Sequence, residues 1–197
     1  MARRVESAKE NRARLIAAAR RAFAEKGYAG ASMDEITADA GLTRGALYHG
    51  FGGKAGLLAA VVEQIDNEMA ERAHRAALRQ DNPWEGLLAE AEAYIEMALE
   101  PEVRRIVLLD GPAILGDPSL WPSQNACLAQ SRQTIADLVG SGIMKPVDVE
   151  AAARLLNGAA MNAALWLASS EAPDALLPGA IETFRVLAAG FLNTGDR

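Results

Sequence analysis

The sequence predicts an all-α protein of about nine helices. Apolar residues recur at helical spacing through nearly every segment of the 197-residue chain, and no stretch sustains the period-two alternation of a strand. Half of the residues are apolar and only 5% aromatic. The apolar share is dominated by Ala and Leu, which cost little to hold in a helix.

The elements follow in order. A capping box of Ser7 and Glu10 predicts the start of the first helix. Leu15, Ile16, Ala19, Ala22 and Phe23 share its inner face, and Gly27 ends it. Ser32 with Glu35 opens a short second helix that turns Ile36 and Ala40 inward and stops at Gly41. Thr43 caps a third, Arg44 to about His49, with Gly50 as terminator and Phe51 packing back. A long helix then starts near Lys54 and carries Leu57, Leu58, Val61, Val62, Ile65 and Met69 toward Arg79. Asn82-Pro83 restarts the chain as a cap followed by proline at the first helical position. From there Trp84, Leu87, Leu88, Ala91, Tyr94, Ile95 and Leu99 recur on one face.

A helix over about 102–109 is next, and the stretch from Asp110 to Pro122 is expected to be broken by its three prolines and two glycines. Asp110 there either caps a turn or belongs to a portal. Helices over about 123–139, 148–168 and 179–193 complete the expectation. The most apolar stretch, Ala151 to Ala168, contains Arg154, Asn157 and Asn162, so it reads as a buried helix and not a membrane span. No leader pattern is visible and Cys127 is the single cysteine, which fits a reducing, cytoplasmic location with no membrane partner.

The net charge of −6 hides an asymmetry. Residues 1–60 carry 10 Lys and Arg against 6 Asp and Glu, while the remainder carries 10 against 20. The basic excess lies mostly before Gly27, in Arg3, Arg4, Lys9, Arg12, Arg14, Arg20, Arg21 and Lys26. Phosphate attraction is local, screened beyond roughly 8–10 Å, so an acidic body does not forbid a nucleic-acid-binding head. A solvated helix face explains the same charges equally well.

The two short helices joined by Ala40-Gly41-Leu42-Thr43 have the form of a helix-turn-helix. Gly41 permits the reversal, Leu42 fills the angle, and the residues after Thr43 are free to enter a major groove. The run continues as Arg44-Gly45-Ala46-Leu47-Tyr48-His49-Gly50-Phe51-Gly52-Gly53-Lys54. With Ala18-Ala19-Arg20-Arg21-Ala22-Phe23, Lys26-Gly27-Tyr28 and Ser32-Met33-Asp34-Glu35-Ile36 upstream, it resembles the signature of the TetR/AcrR family of transcriptional regulators from about Arg12 to Leu58.

The resemblance implies a three-helix DNA-binding head over residues 1–53 and a ligand-binding, dimerising body over 54–197. It implies a homodimer that binds a palindromic double-stranded DNA operator, most often as a repressor, and is released by a small, largely apolar effector. It places Ser32, Thr43, Arg44, Gly45, Tyr48, His49 and Lys54 at the DNA: Thr43 and Arg44 at base edges or nearby phosphates, Gly45 for close approach, Tyr48 and His49 at phosphate, sugar or a thymine methyl, and Ser32 and Lys54 at phosphates. Ser32 and Thr43 cap helices with or without DNA, and Tyr48 has a core alternative. Arg44 is the best reader of sequence, because guanidinium pairs with guanine O6 and N7. The chain departs from the family pattern at Gly50 and Ala55, which keeps open an alternative: a helical ligand-binding protein with a weakened or lost DNA-binding head.

In the body, the resemblance assigns dimerisation to the last two long helices, through Leu155, Ala159, Ala163, Phe184, Leu187 and Phe191. Ordinary core packing is the competing explanation for each. The other helices are expected to enclose a cavity, with Tyr94, Met97, Trp121, Asn125, Met161, Asn162 and Trp166 as candidate lining. No catalytic constellation, metal-ligand spacing or cofactor motif is present, and His49 and His74 fall on different helices; no enzyme activity, metal or cofactor is expected.

Overall fold

A computed structural model describes residues 2–193, with side chains from Glu6 onward; the side chains of Arg3 and Arg4, part of the basic excess, lie outside the described residues. Among the described residues there are nine α-helices and no strand. They are α1 (Ala2–Gly30), α2 (Met33–Asp39), α3 (Arg44–Phe51), α4 (Lys54–Ala77), α5 (Pro83–Glu96), α6 (Gly111–Leu115), α7 (Pro122–Gly140), α8 (Val149–Ser169) and α9 (Pro173–Ala189). A π-helix, Val103–Asp110, precedes α6. No helix among the described residues is long and apolar enough to cross a membrane.

The chain packs as two compact units. The first takes the residues up to Asp66 together with Pro101–Asp117, and the second takes Asn67–Glu100 with the described residues from Pro118 on. α4 therefore contributes to both.

In the first unit, Leu15, Ala19, Phe23, Ile36, Leu47, Leu57 and Leu58 are all at most 2% exposed and form one core. α1 begins at Ala2, so Ser7 lies inside the helix and does not cap it; the residues ahead of it are themselves competent helix formers. The helix breaks at Gly27, as expected, where φ is 69°. The π-helix packs against α1: the Arg20 guanidinium donates to both Glu102 oxygens at 2.7 and 2.8 Å, and the Tyr28 N–H donates to Asp110 Oδ2 at 2.7 Å. Asp110 thus holds a turn.

α3 runs through Gly50 and Phe51 and is capped by Gly52 in the left-handed region, two residues later than the sequence suggests. Gly50 adopts no positive φ, so it extends the helix. Phe51 is held from α1 by the Arg12 guanidinium, 4.5 Å over its ring, while Arg12 also donates to the Gly50 carbonyl at 3.3 Å.

In the second unit α5, α7, α8 and α9 pack together around Trp84, Leu88, Ile95, Ile135, Leu138, Leu156 and Leu167. α9 starts at Pro173, six residues before the expected Gly179, and ends at Ala189. Pro173 is favourable at the first helical position, and Pro178 is accommodated within the early helix. Beyond α9 the chain makes a single antiparallel bridge between Met144 and Leu192. Arg185 on α9 pairs with Glu85 and Glu92 on α5, and Arg132 and Arg154 share Glu150.

Candidate nucleic-acid interface and cavity

The turn between α2 and α3 is built by backbone and caps. Gly41 has φ 61°, which a side chain would strain, and Leu42 N–H donates to the Thr37 carbonyl at 2.9 Å, turning the chain back. Ser32 Oγ accepts from Asp34 N–H and Thr43 Oγ1 accepts from Ala46 N–H, each at 3.2 Å. The reciprocal half of the Ser32 box is absent, because the Glu35 carboxylate instead takes Lys26 Nζ at 2.7 Å. That bond, with the Glu35 charge, raises the Lys26 pKa above its ordinary value.

This framework exposes one face of α3. Thr43, Arg44, Gly45, Tyr48 and His49 are all exposed, with Tyr48 at 51%. The exposure of Tyr48 removes its core alternative. Ser32 and Lys54 are half-buried at the edges of the same unit. Lys54 Nζ lies 4.6 Å from the centre of the Tyr28 ring and 3.5 Å from the Ala29 carbonyl.

The charges of this unit are more internally paired than the sequence implies. Arg20, Arg21 and Lys26 are engaged by Glu102, Asp39 and Glu35. Arg44 forms a two-point ion pair with Asp34 on α2, with an Nη2–Oδ2 distance of 2.7 Å. Both partners are more than half exposed, so the pair contributes at most about 1 kcal/mol and can be exchanged for a phosphate or a base. Sequence reasoning missed Asp34, since nothing in the spacing shows that residues on two helices meet.

It also missed Gly56. A Cβ there would lie 1.9 Å from the Phe51 carbonyl oxygen, so the end of α3 passes directly over the first turn of α4.

In the second unit a partly open cavity of about 80 Å³ lies between α4, α5, α7, α8 and α9. Tyr94 and Met161 line it, together with Leu88, Glu90, Leu156 and Phe184. The other five candidates lie elsewhere. Met97 and Trp121 are buried at 3% and 8%, and Trp121 Nε1 has no partner among the described residues. Asn125 is exposed. Asn162 and Trp166 line a separate open groove on α8 and α9, where water can satisfy the Asn162 amide.

That groove also takes in Ala159, Ala163, Phe184 and Leu187. Leu155, Trp166, Val186 and Leu187, between 49% and 70% exposed, make the α8 and α9 surface unusually apolar. Phe184, at 6%, belongs mainly to the core, and Phe191 is half-buried beside the Met144–Leu192 bridge. Val186, exposed on α9, was not among the residues the sequence singled out.

Comparison with known proteins agrees with this geometry. Residues 15–61 match the family described as bacterial regulatory proteins, tetR family, and residues 84–191 match the tetracyclin repressor-like C-terminal domain. The chain is similar to the HTH-type transcriptional regulator BetI 2 of Chromohalobacter salexigens, 32% identical over 84% of this chain and 80% of the relative. It is also similar to the HTH-type transcriptional repressor AcnR of Corynebacterium glutamicum, 32% identical over 51% of this chain and 52% of that one. Among solved structures, a TetR-family transcriptional regulator from Pectobacterium atrosepticum superposes with a TM-score of 0.88 and 45% identity, covering 98% of both chains.

Proposed function

This chain is a DNA-binding transcriptional regulator of the TetR family, and we propose that it acts as a homodimeric repressor released from a palindromic operator by a small molecule. The observation that supports this most is the exposed face of α3, where Arg44, Gly45, Tyr48 and His49 stand clear of the core behind a capped, glycine-dependent turn. Repression is favoured by similarity to a named repressor.

In this reading Arg44 leaves Asp34 for guanine O6 and N7. Gly45, without a side chain, lets the backbone come close to the duplex. Ser32, Thr43, Tyr48, His49 and Lys54 hold phosphates, which fixes orientation without reading sequence. Two copies pair through the apolar α8 and α9 surface, with Leu155, Ala159, Ala163 and Leu187 at its centre. The mates' α3 helices then sit about one helical turn of DNA apart, roughly 34–36 Å or a multiple. Residues 1–53 serve as the DNA-binding domain and 54–197 as the ligand-binding and dimerisation domain, in the cytoplasm.

Release follows from linkage. An effector in the body cavity that prefers a conformation with the heads wrongly spaced weakens DNA binding by its differential affinity for that state. α4 is the natural carrier, since it begins in one unit and ends in the other.

The test is selection of duplexes from a random pool by the full chain. Enrichment of a two-fold symmetric sequence is expected, and Arg44→Ala should flatten discrimination at one or two positions by about 1–3 kcal/mol while the protein stays folded. No enrichment, with the protein folded, refutes the reading.

A further inference from the structure

The cavity between α4, α5, α7, α8 and α9 has an uneven chemistry. On α5, Leu87, Glu90, Ala91 and Tyr94 recur at helical spacing and share a face toward it. Its lining holds one carboxyl, Glu90, and no Lys, Arg or His.

The other polar lining residues each have at least one partner within the protein. Ser131 Oγ lies 3.0 Å from Asn157 Oδ1 and 3.1 Å from the Cys127 carbonyl. Tyr94, Gln124 and Cys127 each have a partner within the protein. For Glu90 the structure gives no hydrogen bond or ion pair among the described residues, only the electrostatic influence of His74. Burial pushes the Glu90 pKa up, and His74 opposes this. An ionised carboxyl in such surroundings is costly until a cation reaches it. A second carboxylate would be repelled, and a neutral ligand would leave the cost uncompensated.

Size limits the occupant as well. The cavity volume of about 80 Å³ suits a small occupant, on the scale of roughly one ring with a short substituent.

We infer that this cavity takes a small amphiphilic amine, its ring-sized apolar body among Leu88, Leu156, Met161 and Phe184 and its ammonium group against Glu90. The inference rests on the reading of the body as effector-binding. It adds a chemical class, cationic and not merely apolar, and names Glu90 as the residue that selects it. The ammonium donates to the carboxylate, a charge-assisted bond strengthened by the low-dielectric lining.

The experiment is calorimetric titration of the full chain with three probes that share one ring: benzylamine, benzyl alcohol and sodium benzoate. Benzylamine is expected to bind at least tenfold tighter than either of the others. Glu90→Gln should remove that preference while leaving benzyl alcohol within about twofold of its wild-type affinity, which also verifies an intact cavity. Benzoate binding as tightly as benzylamine, an unchanged benzylamine affinity in Glu90→Gln, or no binding of any probe overturns the inference.

Release from a selected duplex is measured separately. Benzylamine that binds through Glu90 and leaves the DNA complex intact upholds the cavity chemistry and overturns the effector role. Release by all three probes alike upholds the effector role and overturns the chemistry.

Discussion

Arg44 and Asp34 show how much one side chain's meaning depends on its neighbour. Arg44 was legible in the sequence as an exposed candidate for reading bases, because it follows the cap of the second helix in the helix-turn-helix. Its engagement by Asp34 was not, since that contact depends on how α2 and α3 cross. Asp34→Ala frees Arg44 and removes an acidic group near the duplex, so DNA affinity at low salt should rise severalfold in an anisotropy titration. The same change removes a carboxylate from the first turn of α2, where it favours the helix dipole, and should lower stability by about 0.3–1 kcal/mol. A fall in both quantities would mean that Asp34 is needed to hold Arg44 in its reading position. Glu90 gives a pH-dependent counterpart. Its folded pKa is raised, so as pH climbs from the ordinary carboxylate range through the folded value, the unfolded chain loses the proton first and the fold loses stability. Glu90→Gln should therefore melt higher than wild type at pH 7 and above, with the gain shrinking below the ordinary carboxylate pKa. An equal gain at all pH values would assign the effect to packing instead.

Among the elements, α2, α4, α5, α7 and α8 lie close to where the sequence placed them, and α2 and α5 begin at the caps read from it, Ser32 and Asn82. The sequence misplaced the end of α3 and the start of α9 for one reason: glycine and proline mark a boundary only when their backbone conformation or lost donor requires it. Gly50 is helical and Pro178 is carried inside α9, whereas Gly52 and Pro173 are the true punctuation. Gly56 was invisible, since its role comes from the Phe51 carbonyl passing over it. Two substitutions separate these cases by thermal denaturation. Gly50→Ala meets nothing within 4 Å and should stabilise by about 0.5–1 kcal/mol through helix propensity. Gly56→Ala forces the end of α3 off α4 and should destabilise by at least 1–3 kcal/mol, as overpacking does. Equal effects would mean that the α3–α4 connection yields more freely than its backbone contact implies.

For the molecule as a whole, the sequence announced a basic head and an acidic body, and much of the head's positive charge is spent internally on Asp39, Glu35 and Glu102. In the proposed reading, DNA binding relies on a few exposed groups presented twice, so pairing of two copies matters as much as any single contact. The apolar α8 and α9 surface was readable as a candidate, although the sequence could not separate the exposed Leu155 and Leu187 from the buried Phe184. The cavity was readable in outline only; its one carboxyl, Glu90, sits in an otherwise ordinary helical stripe. Paired presentation is tested by sedimentation of the full chain with a selected palindromic duplex and with a single half-site. Two chains should travel with the full duplex, and the half-site should bind at least tenfold more weakly. One chain per full duplex, or equal affinity for the half-site, would contradict the account.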